Sequence, residues 1–521
     1  MQFTTLTFAL FAAVLLTAYY IIPGKWQWPL LLIASYVFYL WAGTEYLVFI
    51  LLTTLSTYAV TWVMDNRLKQ RDAYLAEHKA ELSREEKKEY KAKVKSGNKI
   101  WMTGCLILNF GILALCKACL VEPVRTLASG GTLSFLTVGL PLGISFYMFQ
   151  SMGYVVDVYR ETAKAERNPL KLALFVSFFP QLIQGPISKF NQLAPSLYAP
   201  HKFDSKTVSF GLQRMLWGYF KKLVVADRIA VAIGALKGEE YTGVAFLVLT
   251  VFYALQIYGD FTGGIDVTIG MAQALGVKLP ENFIRPYFSK NIAEYWRRWH
   301  ISLGVWMKDY IFYPISVSEP MRKLSKASRK KFPNFGKRVP VYVASVATWF
   351  CTGIWHGFNA NFAVWGLLNC FVIVTSEELV PLYTKFHNRF HLKEKKWYGG
   401  FEILRTFMLM NLIRACDLFP HVGEYFRRLG SIVTTFNFRI LWDGTLMNIG
   451  LSALDYAIIF GGVLVWFVMD LLQEKGSIWE RLAQKSAVLR YSLIFLLLVI
   501  VLLMGSYGIG YDASNFIYNQ F

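Results

Sequence analysis

Charge is scarce in this chain. Only 17% of its 521 residues are charged, against roughly 25% in an average soluble domain. Acids are scarcer still, with 34 Asp and Glu facing 54 Lys and Arg. A soluble chain of this length would break into domains joined by polar linkers, and such linkers are missing. There is no G-x-x-x-x-G-K-[ST], G-x-G-x-x-G or G-x-S-x-G string, which weakens nucleotide-driven and hydrolase readings. No H-E-x-x-H or Cys/His spacing argues for a metal. The six cysteines, Cys105, Cys116, Cys119, Cys351, Cys370 and Cys416, lie in or near apolar segments. The lone C-x-x-C at Cys116 and Cys119 therefore reads as packing rather than as a redox or metal pair. No long internal repeat is visible, which counts mildly against a transporter built from repeated halves.

Apolar residues make up the balance: 55% of the chain is hydrophobic and 17% aromatic, with a mean hydropathy of +0.38. A spanning helix needs about 20 mostly apolar residues. Clear candidates run over 5–22, 46–64, 100–121, 243–258, 340–355, 362–379, 451–472 and 491–506. Shorter or more polar ones run over 29–42, 135–156, 170–183, 208–233 and 403–412. The expectation is an all-α polytopic membrane protein with 11–13 membrane segments, some re-entrant, forming a single domain over 1–521. The first segment lacks a basic leader and a small-residue cleavage site, so it reads as an uncleaved helix.

The net charge of +20 is concentrated in two places. Residues 66–99 carry eleven Lys and Arg among acids, and 321–338 carry eight and no acid. Both should be cytoplasmic by the positive-inside rule, touching anionic lipid headgroups. The first reads as a charged helix outside the bilayer. No nucleic-acid motif accompanies either, so nucleic acid is not an expected partner.

The middle of the chain, 140–370, breaks its apolar runs with polar residues, Gly and Pro. His356 ends one apolar run and another follows almost at once, in the setting Gly353-Ile354-Trp355-His356-Gly357. Glycines on either side allow a helix break beside a substrate. A structural histidine satisfied by a backbone carbonyl is the equal alternative. The string Glu294 to Tyr310 includes Arg297-Arg298-Trp299-His300-Ile301-Ser302 and Lys308-Asp309-Tyr310. Read as one helix, it puts Tyr295, Trp299 and Trp306 on one face, with Arg298 and Ser302 close together on another. It is either an interfacial anchor or the mouth of a cavity where Arg297 or Arg298 meets an anionic group.

Asp260 and Asp266, with glycines between them, read as an interrupted helix. An aspartate there is placed to orient an imidazole or pair with an arginine, or to cap a helix restarting after the glycines. Gln181 and Gln184, beside Pro180 and Gly185-Pro186, mark a kink that could offer hydrogen bonds inside a cavity.

Taken together these strings are more specific than any one of them. R-R-W-H-I-S-L with W-x-x-D-Y, followed by G-I-W-H-G, resembles the membrane-bound O-acyltransferase (MBOAT) family. Supporting matches are Leu140 to Tyr147 with Asp157-Val158-Tyr159-Arg160, Gly185-Pro186, Gly259-Asp260-Phe261 with Asp266, Glu281-Asn282-Phe283 and Phe516-Ile517-Tyr518. The pattern is most similar to the bacterial branch that serves alginate O-acetylation, with teichoic-acid D-alanylation nearby.

The resemblance implies a ring of helices around a thin central funnel in the bacterial cell membrane. It places the catalytic role on His356 and a second important histidine at His300. Arg297, Arg298, Trp299, Ser302, Asp309, Trp355, Asp260, Asp266, Gln181 and Gln184 would bind substrate or support the site. No cofactor is held permanently. The acyl donor would be a thioester, acetyl-CoA or the phosphopantetheine of an acyl carrier protein. The acceptor would be a cell-surface polysaccharide or teichoic acid, with a separate SGNH-type acetyltransferase as a possible partner. D-alanyl transfer is the chemical alternative, and a glycan or lipid transporter the alternative of another class. One departure stands out. The aspartate motif reads D-F-T-G-G-I-D, where the branch is expected to carry D-F-S-G-Y-S-D, so Gly264 and Ile265 put the acceptor's identity in question.

Overall fold

The computed structural model describes residues 2–507 apart from 123, 132, 133, 138, 239 and 475. The Phe516-Ile517-Tyr518 string lies outside the described residues. Every regular element among the described residues is a helix. Six are long and apolar enough to cross a membrane: Thr44–Glu77, Arg84–Ala118, Val244–Ala274, Ala360–Glu378, Ala453–Gln473 and Ala487–Met504. Leu6–Ile21 is a shorter apolar helix. Other expected segments form the helices Gln27–Leu40, Ile144–Tyr159, Pro169–Ser177, Pro333–His356 and Lys396–Arg414. The chain is a multi-pass, all-α membrane protein.

Two compact units are present, one of Met1–Ser209 with Met271–Pro280 and one of Phe210–Gly270 with Glu281–Phe521. In the first, Leu47–Glu77 and Arg84–Ala118 form an antiparallel pair. Asn98 donates to the Met64 carbonyl at 3.2 Å and Asn109 to the Ser56 hydroxyl at 3.1 Å. The charged stretch 66–99 is thus not a separate helix. It forms the facing ends of these two long helices, joined by a short turn. Ser83 and Glu86 close that turn with a capping box, in which each side chain satisfies a backbone N–H at the helix start. Arg71 grips Glu161 through two nitrogens, both at 2.8 Å.

In the second unit the glycines around Asp260 and Asp266 do not interrupt a helix, contrary to the sequence expectation. Val244–Ala274 runs unbroken for 31 residues. A Cβ on Gly263 would meet the Gly218 carbonyl at 2.8 Å, and one on Gly270 would meet the Gly211 carbonyl at 2.5 Å. The glycines repeat at intervals that bring two backbones into contact, as in close membrane helix pairs. The stretch 321–338 is likewise helical: Glu319–Lys331 leads into Pro333–His356, and a Ser325 hydroxyl donates to the Gly336 carbonyl at 2.7 Å across the bend.

Filling this glycine seam should be costly. Gly218→Leu, whose Cβ would lie 2.5 Å from the Gly263 carbonyl oxygen, is expected to destabilise the detergent-purified protein by on the order of 1–3 kcal/mol or more. Gly104→Ala, with nothing within 4 Å of the added carbon, should leave the thermal midpoint unchanged or raise it.

Candidate active site

The string read as one helix from Glu294 onward is two helices. Ile292–Arg298 ends and Ile301–Met307 begins, with Trp299 extended and His300 left-handed at φ 47°. The shared face drawn across that break does not exist. A segment upstream supplies the reason. Ile284 N–H donates to the Arg298 carbonyl at 3.0 Å, and Ile301 N–H donates to the Asn282 carbonyl at 2.9 Å. Two of the backbone groups at the break, the Arg298 carbonyl and the Ile301 N–H, are thereby satisfied, as buried backbone at membrane depth requires. The Asn282 side-chain oxygen accepts from the Ser302 backbone N–H at 3.0 Å and from its hydroxyl at 2.9 Å, and lies 3.3 Å from His300 Nδ1. Asn282 is fully buried and His300 is 2% exposed.

The His300 ring is walled by Phe261 at 4.9 Å and Trp355 at 6.2 Å, centroid to centroid. The Arg414 guanidinium lines the same cavity as the ring.

His356 is the last residue of Pro333–His356, and Gly357 leaves the helix extended. That matches the expected break. A Cβ on Gly353 would collide with the Phe362 carbonyl, and one on Gly366 with the Trp349 carbonyl. These two glycines let Ala360–Glu378 lie against the end of the first helix. The His356 ring then sits among Trp355 at 4.8 Å, Trp365 at 5.0 Å and Phe362 at 6.0 Å.

Both histidines line one cavity of about 590 Å³, together with Arg297, Trp299, Lys308 and Arg414. Among the described residues, no acidic side chain lines it. A largely aromatic and aliphatic wall with a few converging polar groups is the usual make-up of a small-molecule site. The positive groups fit a substrate with an anionic part.

Residues 163–416 match the model of MBOAT, the membrane-bound O-acyltransferase family. The chain belongs to that family. It is 32% identical over 366 residues to the probable alginate O-acetylase AlgI of Pseudomonas syringae pv. tomato, covering 68% of this chain and 62% of that protein. It is 28% identical over 338 residues to the peptidoglycan O-acetyltransferase of Helicobacter pylori, covering 56% and 61%. With the teichoic acid D-alanyltransferase of Bacillus subtilis the identity is 26% over 275 residues, covering 51% and 65%. Each of these matches spans less than two thirds of the relative's own length.

The other residues singled out in the sequence lie in several places. The Trp355 ring neighbours both imidazoles, at 6.2 Å from His300 and 4.8 Å from His356. Ser302 is tied to Asn282. Arg298 turns to Glu294 at 2.6 Å and is not among the cavity-lining residues. Asp309 sits in the π-helical turn Lys308–Phe312 and does not line the cavity either.

The two aspartates are paired with cations rather than with a histidine. Asp260 pairs with Lys222, which also meets Asp227 at 2.7 Å. Asp266 takes Arg214 at 2.9 Å and Lys221 at 2.7 Å, and Arg214 also holds Glu281 at 2.6 Å. Gln181 and Gln184 belong to the other unit, where Gln181 donates to the Pro186 carbonyl at 2.6 Å and the Ser188 hydroxyl at 2.7 Å.

Sequence reasoning missed Arg414, Lys308 and the role of Asn282 at the site, and Lys221, Lys222 and Arg214 in the ion network. The Lys221-Lys222 doublet inside the apolar stretch 208–233 was a usable signal, since paired charges at membrane depth need partners. All seven residues of the π-helical segment Phe220–Ala226 are buried. Removing one cation from this network leaves buried carboxylates uncompensated, which costs about 3–5 kcal/mol. Lys222→Met should therefore lower the unfolding midpoint sharply, and adding Asp260→Asn should recover part of the loss.

Proposed function

We propose that this chain moves an acyl group, acetyl, from a cytosolic thioester to a hydroxyl of a cell-surface polysaccharide. His356 and His300 on one cation-lined cavity, in a member of this family, are the observation that carries the reading. His356 takes the proton from the acceptor hydroxyl as its oxygen attacks the thioester carbonyl. The tetrahedral oxyanion is stabilised by the guanidinium groups of Arg297 or Arg414. Its collapse breaks the C–S bond, and the imidazolium returns its proton to the leaving thiolate. Arg297 and Lys308 suit the phosphates of acetyl-CoA or of a carrier-protein phosphopantetheine. A secreted SGNH-type acetyltransferase receives the group where transfer is indirect, and the alginate, peptidoglycan and teichoic-acid names of the relatives support an envelope polymer as the final acceptor. D-alanyl transfer to teichoic acid remains the second reading, favoured by the match to the Bacillus subtilis protein.

Positioned proton transfer contributes roughly 10²–10⁴-fold. In proteoliposomes given radiolabelled acetyl-CoA and a polysaccharide acceptor, His356→Ala and His356→Gln should lower acetyl transfer by about that factor while retaining the fold. Undiminished transfer by a folded variant would remove His356 from the base role. Counterflow of unmodified polymer without any acyl transfer would point to transport instead.

A further inference from the structure

Asn282 makes three side-chain contacts through a single atom. Its amide oxygen faces the Ser302 backbone N–H at 3.0 Å, the Ser302 hydroxyl at 2.9 Å and His300 Nδ1 at 3.3 Å. A backbone N–H can only donate, so the atom it meets must be the oxygen and not the amide nitrogen. An amide oxygen cannot donate, so the His300 nitrogen facing it must carry the hydrogen. In the neutral ring the second nitrogen, Nε2, then carries the lone pair.

We infer that Asn282 is a positioning residue that locks His300 in the Nδ1–H tautomer and presents Nε2 to the cavity as a hydrogen-bond acceptor. The backbone reinforces the lock. The Asn282 carbonyl receives the Ile301 N–H at 2.9 Å, and His300 is held at φ 47°, a left-handed conformation uncommon for a residue with a Cβ. Glu281, the neighbour of Asn282, is gripped by Arg214 at 2.7 and 2.6 Å. The segment is thereby anchored to the ion network around Asp266.

For acyl transfer this assigns His300 a specific role. An acceptor nitrogen can take a hydrogen bond from a substrate hydroxyl or amide N–H. It cannot donate to the developing oxyanion, so oxyanion stabilisation falls to the cationic side chains. The catalytic part of this inference rests on the proposed acyl-transfer function, whereas the tautomer assignment does not.

The test uses the full chain in detergent micelles with ¹⁵N-labelled histidine, the His300 signals being identified by their loss in His300→Gln. The expected wild-type spectrum shows a protonated, pyrrole-type Nδ1 and an unprotonated, pyridine-type Nε2 for His300. Asn282→Asp, which keeps an oxygen acceptor at the same place, should preserve the Nδ1–H form. Asn282→Ala should mix the tautomers and lower acetyl transfer from acetyl-CoA on the order of 10²-fold, mainly in kcat. If Asn282→Ala does not fold, the wild-type and Asn282→Asp spectra still decide the matter. A wild-type His300 protonated at Nε2, or an Asn282→Ala protein with unchanged spectrum and turnover, overturns the inference. The expected spectra together with no acetyl transfer in the wild type would leave the tautomer assignment standing and remove the functional reading.

Discussion

Inside a bilayer an unpaired backbone group costs several kcal/mol, so a helix can be broken only where something else accepts its hydrogen bonds. The candidate site depends on one such exchange. Residues 282–284 pair with 298–302, taking the place of the helical bonds that Glu294 to Tyr310 would otherwise make. The break turns His300 out of a helix and into a cavity. It also places Asn282 against Nδ1 of the ring and leaves Trp299 extended against its aromatic neighbours. His356 reaches the same cavity by the opposite means. Its helix simply ends, and close packing at Gly353 and Gly366 brings the next helix against that end.

Charge within the second unit is divided between two environments. In the network around Asp260 and Asp266 every carboxylate meets at least one cation, which is how buried charge survives at membrane depth. The cavity instead gathers Arg297, Lys308 and Arg414, with no acid on its wall among the described residues. Arg414 is partly balanced by Asp417 at 3.5 Å and lies over the rings of Trp299 and Trp365. Such a balance favours an anionic guest over a cationic one.

Much of this was legible in the sequence. The apolar runs gave the membrane helices, because spanning length and hydropathy are local properties. Gly357 after His356 marked a real helix end, whereas Gly353 lies inside the helix and admits the next one. The break at His300 could not be read, since the bonds that cause it come from Asn282 and Ile284, some distance away along the chain. Periodicity within one window therefore favoured a continuous helix. Glycines beside Asp260 and Asp266 misled in the other direction. A glycine that admits a neighbouring backbone looks the same in sequence as one that ends a helix, and only Gly211 and Gly218 on the facing segment distinguish them. Arg414 was hidden because a single cation closing an apolar segment ordinarily reads as an interfacial anchor.

The central claim is that the two histidines share one acyl-transfer cavity with a cationic wall. Its most direct test is a structure of the full chain with a non-hydrolysable thioether analogue of acetyl-CoA. The account predicts the acyl group in this cavity beside His356 and His300, with its carbonyl oxygen facing the guanidinium of Arg297 or Arg414 and the phosphates on the side of Arg297 and Lys308. An analogue bound elsewhere while this cavity stays empty would contradict it.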